Sequence, residues 1–322
     1  MHTPEQLLQL YDTTFSKNNF NTSPTNLYKP VEHIMSMKGK RLRPLLVMLS
    51  CEMFGGDVTK SLNAAFAMEV FHNFTLVHDD IMDKAETRRG MPTVHKVFGL
   101  NAAILAGDVM LAYAYKYLTA SEPAKVPALM ELFNTTAIQI FEGQQMDVDF
   151  EERDDVTEEE YLKMIEYKTS VLMACCTQTG AILAGADITA QKKIYDFGLY
   201  LGLSFQVRDD LLDAFGDGKK VGKKIGGDIL LNKKTFLLLR TMRLCNDAQR
   251  AQLNELLREK DEHKKISGIQ HLMQITGGYE QTKNEADRLF QQSISALESV
   301  GVPAASRSRL YDLACKINNR DY

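Results

Sequence analysis

From Ser61 to Val77 the chain is apolar on nearly every side, and it then runs directly into Asp79-Asp80-Ile81-Met82-Asp83. A helix with no polar face has to lie inside other helices. Helical spacing recurs along the rest of the chain. Leu7, Leu8, Tyr11 and Phe15 form an amphipathic stripe, and Arg43-Pro44 precedes an apolar run through Phe54. Asn101 to Thr119 reads as a second helix apolar all round, and Val126 to Phe141 continues the pattern. Val171 to Ala186 and Ile194 to Phe215 read as core helices, Gln249 to Lys265 as surface helix and linker, and Ala286 to Val300 and Ser306 to Ile317 as closing helices. No repeat, low-complexity linker or sustained strand alternation is present, and the eight prolines are spread thinly. The expected fold is therefore all-α, one domain over residues 1–322, a bundle of about ten or more helices.

Charge narrows the partners. With 38 basic and 42 acidic side chains the net charge is -4, which gives no global field for nucleic acid or an anionic membrane. Any site for an anion has to be built from local clusters. The longest apolar segments fall short of the roughly 18 to 20 residues of a membrane span. Residues 1–6 carry no basic stretch ahead of an apolar one, so no signal peptide is expected. The five cysteines form no CxxC pair or zinc spacing, which suits reduced thiols in the cytoplasm.

The aspartate pattern occurs twice, at Asp79 to Asp83 and at Asp209-Asp210-Leu211-Leu212-Asp213, each time at the end of an apolar helix. On a helix the first and last aspartates are one turn apart and share a face. His72 and Gln206 fall near those faces. Carboxylates stacked this way repel each other unless a cation compensates them. Hard oxygen ligands suit magnesium, which prefers to share its shell with substrate phosphates. A single triplet could equally be a solvated helix end; two on two buried helices argue for metal. By contrast Asp154-Asp155, inside the acidic patch Asp147 to Glu160, reads as a solvated connection, with Thr157 and Glu160 as a capping box for the next helix.

Basic groups are also clustered. Lys38-Gly39-Lys40-Arg41-Leu42-Arg43 is compact, Arg88-Arg89-Gly90 follows the first triplet, and Lys168-Thr169 lies within the helix begun at Thr157. Gly216 to Asp228 is rich in glycine and lysine, with Lys219, Lys220, Lys223 and Lys224, and Lys233 and Lys234 follow. Taken singly, the first cluster is better explained as a surface patch and the loop as a surface turn. Together they supply the cations a diphosphate needs.

In this order the residues resemble the trans-isoprenyl diphosphate synthase family. The matches are Gly39 to Pro44, His72, Asp79 to Asp83, Arg88-Arg89-Gly90, Gly107-Asp108, Gly143-Gln144 with Asp147, Lys168-Thr169, Phe205-Gln206, Asp209 to Asp213, Gly222-Lys223, Asp228 and Lys233. The resemblance covers roughly residues 30 to 240. It implies the isoprenoid synthase fold, helices around a central cavity, and a homodimer. It also implies three magnesium ions ligated by Asp79, Asp83 and Asp209, with Asp80, Asp210 and Asp213 orienting waters or ligands behind them. Arg88, Lys168, Thr169, Gln206, Lys223 and Lys233 would hold the allylic diphosphate. Lys40, Arg43, His72 and Arg89 would hold isopentenyl diphosphate. Two departures stand out. Thr235 is followed by Phe236 where the family often has proline, and the first motif is the short form.

The implied reaction is head-to-tail prenyl transfer. An aromatic five positions before a short first motif, here Phe74, resembles geranylgeranyl diphosphate synthases, with Thr75 beside it and Phe71 about one turn deeper. A farnesyl product is the alternative, since Phe71 can also raise the floor. A terpene cyclase fits less well because the second motif is again all aspartate, and a non-catalytic partner subunit because both motifs are intact.

Overall fold

The computed structural model describes residues 2–15, 20, 22–216 and 225–319, and helices carry nearly all of its regular structure. The chain divides into two compact units: Met1–Thr135, Cys175–Tyr195 and Val300–Leu310 form the first, and Thr136–Ala174, Asp196–Ser299 and Tyr311–Tyr322 the second.

In the first unit α1 (Pro4–Phe15), α2 (Thr25–Ser36), α3 (Leu42–Met53), α5 (Val94–Phe98) and α6 (Leu100–Thr119) gather about α4 (Val58–Met82). Asp57 starts α4 by accepting the Thr59 N–H at 2.9 Å, and the helix is then buried on almost every side to Val77, as its composition predicts. Gly180 of α9 (Val171–Ala184) lies against α3. A Cβ there would sit 2.3 Å from the Val47 carbonyl oxygen, so only glycine permits this approach. Helix α6 departs from the expected all-round burial. Ala103, Ala106, Met110 and Ala114 pack inward, whereas Leu100, Ile104 and Leu105 are exposed. Both of its faces are apolar, but within the unit only one finds a neighbour.

A two-stranded antiparallel ribbon, β1 (Thr87–Arg88) and β2 (Met91–Pro92), is the only β structure among the described residues, and alternation could not reveal strands so short. Its turn residues Arg89 and Gly90 have φ of 54° and 77°, the left-handed pair that a tight hairpin turn demands.

The second unit contains the later part of α7 (Val126–Glu152), α8 (Glu158–Ile165), a π-helical turn Glu166–Ser170, and most of α10 (Ile188–Phe215). It continues through α11 (Gly227–Leu230), α12 (Phe236–Leu244), α13 (Asp247–Leu257), α14 (Glu262–Ile275) and α15 (Gly278–Glu298), and takes the end of α16 (Ala304–Asn318). The Thr157–Glu160 capping box is present. The acidic patch is not all connection, because α7 continues to Glu152 and the link is only residues 153–157. Helix α10 begins before the predicted Ile194 because Asp187 Oδ1 accepts the Ala190 N–H at 2.9 Å, an N-cap that apolar spacing does not register. Tyr161, Ile165, Val207, Phe236 and Leu289 pack the core, and Arg208 joins α10 to Asp287 on α15 and, at 2.7 Å, to Asn318 on α16.

Candidate active site

At the end of α4 the three aspartates of the first triplet are not equivalent. Asp79 is partly exposed and Asp83 exposed, while Asp80 is buried. Its Oδ1 accepts from Arg88 Nε and Nη2, both at 2.7 Å, and its Oδ2 is buried with no hydrogen-bond partner. Burial pushes the Asp80 carboxyl up, and Arg88 opposes that shift.

Beside it the first unit gathers guanidinium groups. Arg89 Nη1 reaches the Met37 carbonyl at 3.5 Å, and a Cβ on Gly39 would lie 2.9 Å from that nitrogen, so the glycine lets its loop rest on the guanidinium. Arg41 (φ 50°) donates to Glu69 Oε1 at 2.6 Å and to the Met35 carbonyl at 3.1 Å. Asn73 Nδ2 donates to the same Glu69 oxygen at 3.1 Å. Arg43 Nε is buried without a partner, and burial lowers the pKa of that side chain. His72 sits among these groups. Loss of water, then the charges of Arg43, Arg89, Arg88 and Arg41, hold its imidazole well below the usual range, so it is neutral at pH 7. Four guanidiniums around a neutral histidine, with Glu69 and Asp80 as buried counter-charges, suit a multiply charged anion. Lys40, on the loop before α3, is exposed.

In the second unit the pattern of the triplet recurs. Asp209, Asp213 and Gln206 are partly exposed on α10, and Asp210 is turned inward and buried. The Tyr161 hydroxyl lies 2.9 and 2.8 Å from the two Asp210 oxygens, and the Phe236 N–H donates to Oδ2 at 3.0 Å. Phe236 is the residue that stands where the family often has proline, and its N–H is a donor proline lacks. Burial and the charge of Asp228 hold the Asp210 carboxyl well above its ordinary range, against the pull of these donors. Asp213 Oδ2 accepts the Asp228 N–H at 2.9 Å, and the Lys233 N–H donates to the Asp228 carbonyl at 2.9 Å. Lys168 and Thr169 occupy the π-helical turn, a local widening frequent at functional sites. Lys168 Nζ lies 2.5 Å from Asp147 Oδ2, and Thr169 Oγ1 3.5 Å from Gln206 Oε1. Glycines flank the turn on both sides. A Cβ on Gly143 would meet Lys168 N at 2.4 Å, and one on Gly202 would meet Ser170 Cα at 2.6 Å.

Phe71 and Phe74 are buried with ring centroids 5.5 Å apart, and Thr75 uses its hydroxyl on the His72 carbonyl at 2.9 Å. Phe133 packs edge-on against Phe71 at 4.9 Å, and Tyr115 against Phe133 at 5.2 Å. Spacing on α4 could not reveal these last two rings, which arrive from α6 and α7.

Residues 24–275 match the pattern of the family described as Polyprenyl synthetase. The chain belongs to the polyprenyl synthetase family. Among this family's members, a geranylgeranyl diphosphate synthase of Sulfolobus acidocaldarius is 38% identical over 280 residues, covering 85% of this chain and 84% of its own length. A geranylgeranyl pyrophosphate synthase of Geoglobus acetivorans is 46% identical over 219 residues, 67% of this chain and 68% of its own. A crystal structure of a geranylgeranyl pyrophosphate synthase superposes with a TM-score of 0.95 at 42% identity, covering 100% of both chains.

The donor chemistry of this polyprenyl synthetase fits a hard divalent ion. The partly or fully exposed carboxylates of each triplet are paired one helical turn apart. Among the described residues no three His, Cys, Asp or Glu side chains gather into a group that could hold an ion by themselves. Magnesium suits such a site, since it keeps several waters and takes one or two carboxylates plus phosphate oxygens. Lys223 lies outside the described residues, as do Lys219, Lys220 and Lys224. Sequence reasoning named Arg41 in the basic cluster but gave it no role, and it missed Glu69, Asn73 and Tyr161. Of those three, Tyr161, seven residues before Lys168 on the same helical run, had a visible signal.

Proposed function

We propose that this chain is a magnesium-dependent prenyltransferase that condenses isopentenyl diphosphate with allylic diphosphates to geranylgeranyl diphosphate. The observation that carries this reading is the shared construction of the two triplets. In each, the first and third carboxylates stay partly or fully exposed, one turn apart, while the middle one is buried and held. The names of the relatives support the product, and a farnesyl product is the second reading, because the Phe71 ring, with its centroid 5.5 Å from that of Phe74, can also raise the floor.

Asp79, Asp83 and Asp209 would hold three magnesium ions, with Asp80, Asp210 and Asp213 behind them. Bound magnesium would neutralise the diphosphate and improve it as a leaving group. The side chains of Lys168, Thr169, Gln206, Arg88, Lys223 and Lys233 bind and orient the allylic diphosphate. Those of Lys40, Arg43, His72 and Arg89 hold isopentenyl diphosphate. The protein's share of the rate comes from positioning and electrostatic stabilisation. Residues 1–322 act as one catalytic domain, as a homodimer. The exposed stripe Leu100, Ile104 and Leu105 on α6 supports the dimer, because a contiguous apolar face gains from a partner. No helix of the described residues is long and apolar enough to cross a membrane, and all five cysteines are free, which supports work in the cytoplasm.

Incubation of the purified chain with isopentenyl diphosphate, each allylic primer and magnesium, followed by chromatography of the products, tests the reading. Geranylgeranyl diphosphate is the expected product, with turnover abolished in Asp79→Ala and in Asp209→Ala although both fold. Near-normal turnover in either variant would refute the metal roles.

A further inference from the structure

Three elements of the second unit are fastened at a single carboxylate. Asp210 of α10 receives the Tyr161 hydroxyl from α8, at 2.9 and 2.8 Å, and the Phe236 N–H that opens α12, at 3.0 Å. Tyr161 is 4% exposed and Asp210 3%. Each fastened element carries groups of the proposed diphosphate site close to the knot. Helix α8 runs on without a break into the π-helical turn with Lys168 and Thr169, Lys233 lies three residues before Phe236, and α10 bears Gln206, Asp209 and Asp213.

Packing does not require this arrangement. A phenylalanine ring would fill the same core space beside Val207 and Phe236. A buried carboxylate is generally less stabilising than a well-packed apolar side chain. Apolar contact between helices is non-directional, whereas hydrogen bonds from two neighbouring elements define the rotation of α10 about its own axis. Asp209 and Asp213 ride on that rotation. At the roughly 5 to 6 Å radius of a side chain on a helix, a turn of about 10° moves a carboxylate by about 1 Å, a displacement that can cost about 100-fold in rate.

We propose that Tyr161 is a positioning residue, which through Asp210 sets α10 in register so that Asp209 and Asp213 meet a diphosphate together with Lys168. This rests on the proposed function and names a residue that reading does not contain.

The test compares the full-length chain with Tyr161→Phe, which removes one oxygen. Magnesium-dependent binding of inorganic diphosphate is measured by calorimetry, amide hydrogen exchange over residues 233–238 without metal or ligand, and kcat and KM with both substrates. Binding should weaken about tenfold or more, exchange of the Phe236 amide should quicken, and kcat should fall with the KM for isopentenyl diphosphate unchanged. Asp210→Asn, which keeps the shape and one acceptor oxygen, should weaken binding in the same way and serves if Tyr161→Phe does not fold. A lower melting temperature with unaltered diphosphate affinity would make Tyr161 a core residue only and overturn the inference. If the unmodified chain binds no diphosphate with magnesium, or Asp209→Ala binds as well as the parent, the proposed function itself fails, and this inference with it.

Discussion

Removing Glu69 should unsettle the whole arginine cluster of the first unit. Its carboxylate is 2% exposed and lies 2.6 Å from Arg41, whose side chain keeps 19% of its surface. In Glu69→Leu, Arg41 would retain only the Met35 carbonyl at 3.1 Å, with other arginines nearby. Breaking a buried pair from one side typically costs 3–5 kcal/mol, and the partial exposure of Arg41 places the expected loss at about 3 kcal/mol. Arg41→Met should lose less, because Glu69 still accepts from Asn73 at 3.1 Å. In the double variant Glu69→Leu/Arg41→Met neither charge is orphaned, so the two losses should fall short of adding by about 1–3 kcal/mol. Urea unfolding followed by circular dichroism, with midpoints compared at equal slope, measures all three. Strict additivity would show that the pair does not act as a unit.

Three further outcomes follow from the site. Gly143→Ala should destabilise by about 1–2 kcal/mol, the overpacking against Lys168 N outweighing the roughly 1 kcal/mol helix gain; a rise in melting temperature would refute the close approach. His72 has a folded pKa depressed below its unfolded value near 6.5, so its contribution is full above that pH and is lost as pH falls below it. Denaturant midpoints between pH 7.5 and 5 should therefore drop more steeply for the parent than for His72→Gln, and parallel profiles would contradict this. Phe74→Ala should lengthen the product by one or more isoprene units, with Phe71 and Phe133 as the next barrier; an unchanged product by chromatography would remove Phe74 as the stop.

The all-helical fold and the repeated aspartate pattern, with the first and third members of each triplet one turn apart, were legible in the chain, because each follows from spacing within one or two helical turns. So was the Thr157–Glu160 cap, which is local too. Other features depend on partners remote in sequence: Arg41 finds Glu69 across 28 residues and Tyr161 finds Asp210 across 49. Spacing alone therefore could not say which aspartate of each triplet turns inward, or that Arg88 and Tyr161 hold it. Nor could it distinguish the packed face of α6 from the exposed one, since both are apolar and only the neighbouring helices, α4 foremost with α2 and α5, select between them. Periodicity within a helix determined which residues share a face; contacts between helices decided which of those faces were buried, because burial belongs to a pair of surfaces and a sequence displays one at a time.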